Sequence, residues 1–460
     1  MLDDILDYLE HVRERPVWQP IPTVNRARFQ EALPVQPSSL EAVHASFMDD
    51  VLPHAVGNVH PRFMGWVHGG GTPVGMLAEM LAGGLNANVG GRDQMPVEVE
   101  RQVVSWMREL FGFPVGASGV FLTGTSMANF IGLLVARTSF LGDKVRRDGL
   151  GDEGGSLVAY ASVAAHGSIA RAMEMSGLGS SALRKIPVNR HHQIELAALE
   201  EAIAVDRARG MRPFFVAGTA GTVDIGAVDD LTGLADIAQR EGLWFHIDGA
   251  FGALGMLAPD IAPRLAGIDR ADSLAFDFHK WGQVPYDAGF LLVRDGQRHE
   301  AAFASPAAYL QREARGLAAG SPWPCDLGPE LSRSFRALKT WMTFKVFGTE
   351  KLGQTVSATC RVARYMAAQI RLRPQLELMA PVELNIVCFR YRCVASDAVN
   401  RDIVADLQEA GIAAPSTTTI DGQLVIRAAI VNHRTNEADV DAVLEAVCVT
   451  GRSRENQPTP

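Results

Sequence analysis

The 460-residue chain lacks the marks of several protein classes. Its five cysteines (Cys325, Cys360, Cys388, Cys393, Cys448) are scattered, odd in number and without a CxxC pair. That argues against a disulfide framework or a thiolate zinc site and for a reducing compartment. No apolar run approaches the ~20 residues that cross a bilayer. The start, Met1 to Glu10, is acidic and amphipathic, unlike a signal peptide. Positive charge is in deficit, with 43 Lys and Arg against 52 Asp and Glu and a net charge of −9. Broad electrostatic affinity for nucleic acid or an anionic membrane is therefore not expected, although a local patch can still hold a small anion. Repeats are absent, and the only low-complexity stretch is a polar tail, 451–460. What remains is a cytoplasmic globular protein, in keeping with a composition 47% hydrophobic and 21% charged. Its length implies more than one folded unit.

The first 60 residues read as short helices broken by Pro16, Pro20, Pro22, Pro34 and Pro37. A segment of this kind rarely builds its own core and is expected to lie across another domain or subunit. From about residue 75 to 300, apolar strand-like runs alternate with amphipathic helices, which indicates a mostly parallel sheet covered on both faces. After Gly320 the pattern turns helix-rich and then α+β. The division expected is 1–70 as an N-terminal helical segment, 71–340 as a large α/β domain, 341–450 as a small α+β domain, and 451–460 as the tail.

Chemistry-bearing residues fall where apolar runs end. Leu243 to Ile247 delivers Asp248, in His246-Ile-Asp-Gly-Ala250, to a strand end, and Ser273 to Phe276 delivers Asp277-Phe-His-Lys-Trp281. In open α/β sheets ligands sit outside the carboxyl ends of the strands. Thr123-Gly-Thr-Ser126 lies between a strand and a helix, a natural phosphate site, or else a plain helix cap. His166 follows another strand and suits stacking on an aromatic ring, or a structural role. Thr219 is a strand-end hydroxyl. Asp248 suits pairing with a pyridinium nitrogen, a salt bridge or a metal. Lys280 beside aromatic residues suits nucleophilic attack on an aldehyde, or is a loop lysine. The order phosphate turn, histidine, threonine, aspartate, lysine favours pyridoxal 5′-phosphate (PLP).

Further segments complete the pattern: His60-Pro-Arg-Phe63, Thr125-Ser-Met-Ala-Asn129, Ala165-His166, Arg333-Ser-Phe-Arg-Ala-Leu-Lys339 and Arg427-Ala-Ala-Ile-Val-Asn-His-Arg-Thr435. From about residue 40 to 445 the chain resembles the group II PLP-dependent amino acid decarboxylases, among them aromatic-L-amino-acid, histidine and glutamate decarboxylases. The resemblance implies the type I fold of PLP-dependent transferases, with a seven-stranded large-domain sheet, in a homodimer wrapped by the N-terminal segment. It implies that Lys280 forms a Schiff base with PLP, that His166 stacks on the ring, that Asp248 pairs with the ring nitrogen and that Ala250 packs beneath. Thr125 and Ser126 would hold the phosphate with help from His279 and Asp277, and Thr219 would lie near the ring substituents. His166, Asp248, His279 and Lys280 are the expected catalytic residues, and no metal is expected.

Departures from the family bear on the reaction. The loop before Arg333 carries a catalytic tyrosine in aromatic decarboxylases, and here Gly316 to Pro329 has none. Tyr309 lies too early. His166, His279 or Asp326 would have to donate the proton, or oxygen would intercept the carbanion and give an aldehyde. The substrate wall, with Trp66, His68 and Gly69, then Asn86, Asn88 and Arg92, admits a polar or acidic side chain as well as an indole; Arg92 either binds a carboxylate or forms a structural salt bridge. A lyase or aminotransferase of the same fold, a catalytically silent PLP-binding interaction protein, and a metal hydrolase built on His246 and Asp248 are the competing readings.

Overall fold

The structure, a computed structural model, describes residues 1–304 and 312–455. Packing divides the chain into two units, one of residues 71–357 and one combining 1–70 with 358–460.

The larger unit is built on a seven-stranded sheet: β1 (Ser118–Leu122), β2 (Leu157–Ser162), β3 (Leu183–Ile186), β4 (Arg212–Thr219), β5 (Trp244–Asp248), β6 (Ser273–Asp277) and β7 (Gly289–Val293). Their order is β1-β7-β6-β5-β4-β2-β3, parallel except at β7, which runs against both neighbours. The strands are almost wholly buried, as continuous apolar runs demand of a sheet covered on both sides. Neighbouring residues of β5 show the two covers. A methyl added at Gly132, in the helix Thr125–Leu141, would meet His246, whereas Phe245 faces the helix Leu231–Glu241 across Gly218. Successive side chains on a strand point to opposite faces, so the two helices lie on opposite sides. The carboxyl ends of β1, β2, β4, β5 and β6 share one edge, and there the chemistry-bearing residues gather.

The smaller unit holds an antiparallel sheet ordered β10-β11-β9-β8: β8 (Leu376–Leu378), β9 (Ile386–Tyr391), β10 (Ser416–Ile420) and β11 (Gln423–Ala429). The expectation of a separate N-terminal segment is revised here, because residues 58–70 are bonded to the far end of the chain. Met64 N–H donates to Ala414 and Ala429 N–H to Met64. Asn432 Nδ2 donates to the carbonyls of Asn58, Val59 and His60, Thr435 Oγ1 to Pro61, and Arg427 Nη1 to Trp66. The segment Arg427 to Thr435 is thus a clamp on the N-terminal strip. The boundary expected near 340 also moves, since the long helix Arg336–Arg371, interrupted at Gly348 (φ 72°), carries the chain across residue 357. The last helix, Glu437–Glu455, continues into the expected tail, whose final five residues lie outside those described. Among the described residues no helix is long and apolar enough to cross a membrane.

Candidate active site

Three strands end in the residues that matter. Asp277 closes β6, Asp248 closes β5, and Thr219, paired in register with Asp248, closes β4. Phe276 and Phe278 are fully buried and pack against Phe290, with centroids 5.3 and 5.5 Å away. They pin the turn and leave Asp277, His279 and Lys280 at the sheet edge.

Asp277 is the hub. Its Oδ1 accepts the Thr125 amide at 2.7 Å, and its Oδ2 lies 2.9 Å from Lys280 Nζ and 3.6 Å from His279 Nε2. His279 Nδ1 accepts the Ala288 amide at 3.0 Å, so the ring proton sits on Nε2; burial holds its pKa down at about 4. The helix Thr125–Leu141 begins here, with the Thr125 hydroxyl buried and without a hydrogen-bond partner and Ser126 exposed. A helix N-terminus with free amides attracts an anion.

Asp248 is 2% exposed. Its Oδ1 accepts the Ala250 amide at 3.1 Å, and its Oδ2 accepts Asn129 Nδ2 at 2.8 Å. Burial drives its pKa up, against the pull of Asn129, Lys280 and His166. A buried carboxylate in this state gains from a cationic partner. Ala250 is half-buried, and its carbonyl accepts the Asp277 amide, which ties the ends of β5 and β6 together. His166 caps the helix Gly167–Met175, its ring exposed and Nδ1 accepting from Ser168. Thr219 is held through its amide by Asp229, a carboxyl that burial raises to about 6.

The sheet edge therefore brings together Thr125, Ser126, His166, Thr219, Asp248, Ala250, Asp277, His279 and Lys280. The wall residues divide. Trp66, His68 and Gly69 belong to the smaller unit, where Trp66 stacks with Phe63 and His68 at 6.1 and 5.9 Å. Asn88 and Arg92 belong to the larger one and are internally engaged. Asn88 Oδ1 accepts the amides of Gly90 and Arg333, and the Arg92 guanidinium covers the Trp323 ring at 4.3 Å. Asn86 caps a helix. Asp326 is bound twice by Arg312 at 2.6 Å and accepts the Trp323 amide, so this one of the three candidate proton donors is committed to holding its loop. Tyr309 lies outside the described residues. His246, the proposed metal ligand, has both ring nitrogens bonded, to Ser273 and Asn129.

Sequence reading missed Asn129, Ser168, Ser273 and Tyr286, whose ring lies 4.2 Å from that of His279. Asn129 alone left a signal, a polar residue amid the apolar run Met127 to Val135.

The geometry suits PLP. The orphaned Thr125 hydroxyl and the helix start fit a phosphate, Asp248 fits a protonated ring nitrogen, and Lys280 fits an aldehyde. Comparison with known proteins agrees. Residues 22–392 match the pyridoxal-dependent decarboxylase conserved domain. The chain is 33% identical to an aromatic-L-amino-acid decarboxylase from Bacillus atrophaeus, over 95% of this chain and 91% of that one. It is 26% identical to a phenylacetaldehyde synthase from Petunia hybrida, over 97% and 92%. The crystal structure of Oryza sativa TDC with PLP and tryptamine superposes with a TM-score of 0.90 at 24% identity, covering 99% of this chain and 96% of that one.

Proposed function

The chain belongs to the pyridoxal-dependent decarboxylase family, a family of PLP-dependent carboxy-lyases, and on that premise we propose that it converts an aromatic or related L-amino acid to the amine and CO₂. The observation that carries the reading is the single sheet edge on which Asp248, Asp277, Lys280 and the orphaned Thr125 hydroxyl meet.

When bound, PLP supplies an aldehyde for amines and a protonated ring that accepts electrons. Lys280 is the amine that would anchor the cofactor and make way for the substrate amine. Asp248 would keep the ring nitrogen charged, Thr125 and Ser126 would hold the phosphate at the helix start, with Asp277 and His279 fixing that corner, and Thr219 would lie near the ring. His166, exposed on its cap, would stack on the ring and contact the substrate carboxylate. In the net reaction the bond from Cα to the carboxylate breaks, CO₂ leaves, and a proton is added at Cα. The chain's share is orientation and charge placement.

The Arg92 guanidinium, turned onto Trp323, weighs against an acidic substrate and so supports an aromatic or other uncharged one. Exposed Phe29, Leu33, Val35 and Leu40 support a homodimer in which a second copy covers residues 29–40. Five free cysteines suit the cytoplasm.

A second reading, decarboxylation with oxygen consumption to an aldehyde, is favoured by the loop 316–329, which carries no tyrosine. Product analysis by mass spectrometry decides. The PLP-loaded protein, incubated aerobically with pooled L-amino acids, is expected to form an amine lighter than its parent by CO₂. An aldehyde with peroxide would establish the second reading, and no CO₂ release would refute both.

A further inference from the structure

Behind Asp248 runs a chain of buried polar groups in which every proton has one place to sit. Trp244, Ser273, His246, Asn129, Ser168 and Asp248 are all at most 7% exposed, so bulk water does not reach them to exchange partners. Trp244 Nε1, which can only donate, gives its proton to Ser273 Oγ at 2.8 Å. The Ser273 hydroxyl lies 2.8 Å from His246 Nδ1, and Asn129 Oδ1 lies 2.9 Å from His246 Nε2. Asn129 spends both amide protons elsewhere, on Asp248 Oδ2 at 2.8 Å and on Ser168 Oγ at 2.9 Å. Its carbonyl must therefore accept, which places the imidazole proton on Nε2 and leaves Nδ1 to accept from Ser273. Burial keeps that ring neutral, with a pKa of about 3. Ser168, having accepted from Asn129, turns its own proton to His166 Nδ1 at 2.9 Å, where its amide also points.

The reverse orientation of Asn129 fails. A flipped amide would set its carbonyl against the Asp248 carboxylate, acceptor against acceptor. Gly132 is part of the arrangement, since a methyl there would come within 3.1 Å of His246 Nδ1 and Cε1.

We propose that Asn129 is the positioning residue that fixes both Asp248 and His166 for the cofactor, with His246, held in place by Ser273 and Trp244, donating to its carbonyl. One amide aims a neutral N–H at the Asp248 carboxylate, the group assigned to the ring nitrogen, and turns the Ser168 hydroxyl onto His166 Nδ1, where it joins the Ser168 amide in holding the ring assigned to the cofactor face. The proposal rests on those two assignments.

The test has a readout independent of turnover. In cofactor-free protein labelled with ¹⁵N-histidine, long-range proton–nitrogen spectra, assigned through His246→Gln and His166→Gln, are expected to show both rings as Nε2–H. Nδ1–H at His246 would overturn the proposal. In Asn129→Leu, which fills similar volume without donors, the Ser168 amide still holds His166 as Nε2–H, but the freed Ser168 hydroxyl is expected to shift the Nδ1 resonance. PLP affinity is expected to fall on the order of tenfold to a hundredfold, as loss of a hydrogen bond to a charged group implies. An unchanged His166 spectrum and wild-type affinity would overturn it. If that variant does not fold, the wild-type spectra decide alone. Asp248→Ala, titrated with PLP alongside, separates the two layers: wild-type affinity there would discard the cofactor assignment, while the spectra still judge the relay.

Discussion

Lys280 Nζ lies 2.9 Å from Asp277 Oδ2, and the other oxygen of the same carboxylate holds the Thr125 amide at 2.7 Å. One side chain thus joins the lysine turn to the start of the helix that would receive the phosphate. Asp277→Asn keeps an acceptor for Thr125 and removes the charge facing Lys280; Asp277→Ala removes both. The stability of the cofactor-free protein is expected to fall in the order wild type, Asn, Ala, with the alanine variant about 1–3 kcal/mol below wild type. Urea unfolding measures this, and equal stability of the two variants would contradict it.

Arg333 and Glu100 form a two-bond ion pair at 2.7 and 3.0 Å, both buried, and Arg333 also serves the carbonyls of Val89 and Phe121. Arg333→Met strands a buried carboxylate and is expected to cost about 3–5 kcal/mol. Adding Glu100→Leu should recover part of that loss. Thermal melts of the single and double variants check it; a double variant less stable than the single would be the contrary result.

Acid should unfold the protein earlier than surface charge alone would. Burial lowers His246 to about 3 and His60, His279 and His299 to about 4 from 6.5. Between those values the unfolded chain binds the protons first, so stability is complete above pH 6.5 and is lost as pH falls toward 4. Asp229, raised to about 6, acts in the opposite sense, as do Asp248 and Asp272, which burial also raises. His433, lowered to about 4, adds to the histidine side, so the histidines still outnumber the opposing carboxyls. Each net proton contributes about 1.4 kcal/mol per pH unit. Urea midpoints that stay flat from pH 7 to 5 would contradict this balance.

The tilted ring pair His279 and Tyr286, with centroids 4.2 Å apart, stands at the sheet edge of a chain whose loop 316–329 has no tyrosine. Tyr286→Phe tests whether this phenol carries the proton to Cα. If it does, amine formation falls about 100-fold or more and the aldehyde fraction rises, general acid catalysis being worth that much. An unchanged amine-to-aldehyde ratio assigns the proton to another group.

Much of the site was legible because a buried parallel strand is an apolar run with a sharp end. Asp248, Asp277 and Thr219 each close such a run, and Lys280 follows one within a turn. The rest depended on long-range pairing. β10, Ser-Thr-Thr-Thr-Ile, has no apolar run to announce it and owes its place to β11. The N-terminal strip looked detached because its partners, Arg427, Asn432 and Thr435, lie more than 350 residues away. Asn129 is one polar side chain within a helix, and its meaning appears only when His246 and Asp248 arrive from β5.

The central claim is that Lys280 carries the cofactor, and borohydride reduction of the PLP-loaded protein tests it most directly. Peptide mapping by mass spectrometry is expected to find the reduced pyridoxyl group on the peptide containing Lys280 and to find none in Lys280→Ala. Attachment at another lysine, or none in the wild-type protein, would contradict the account.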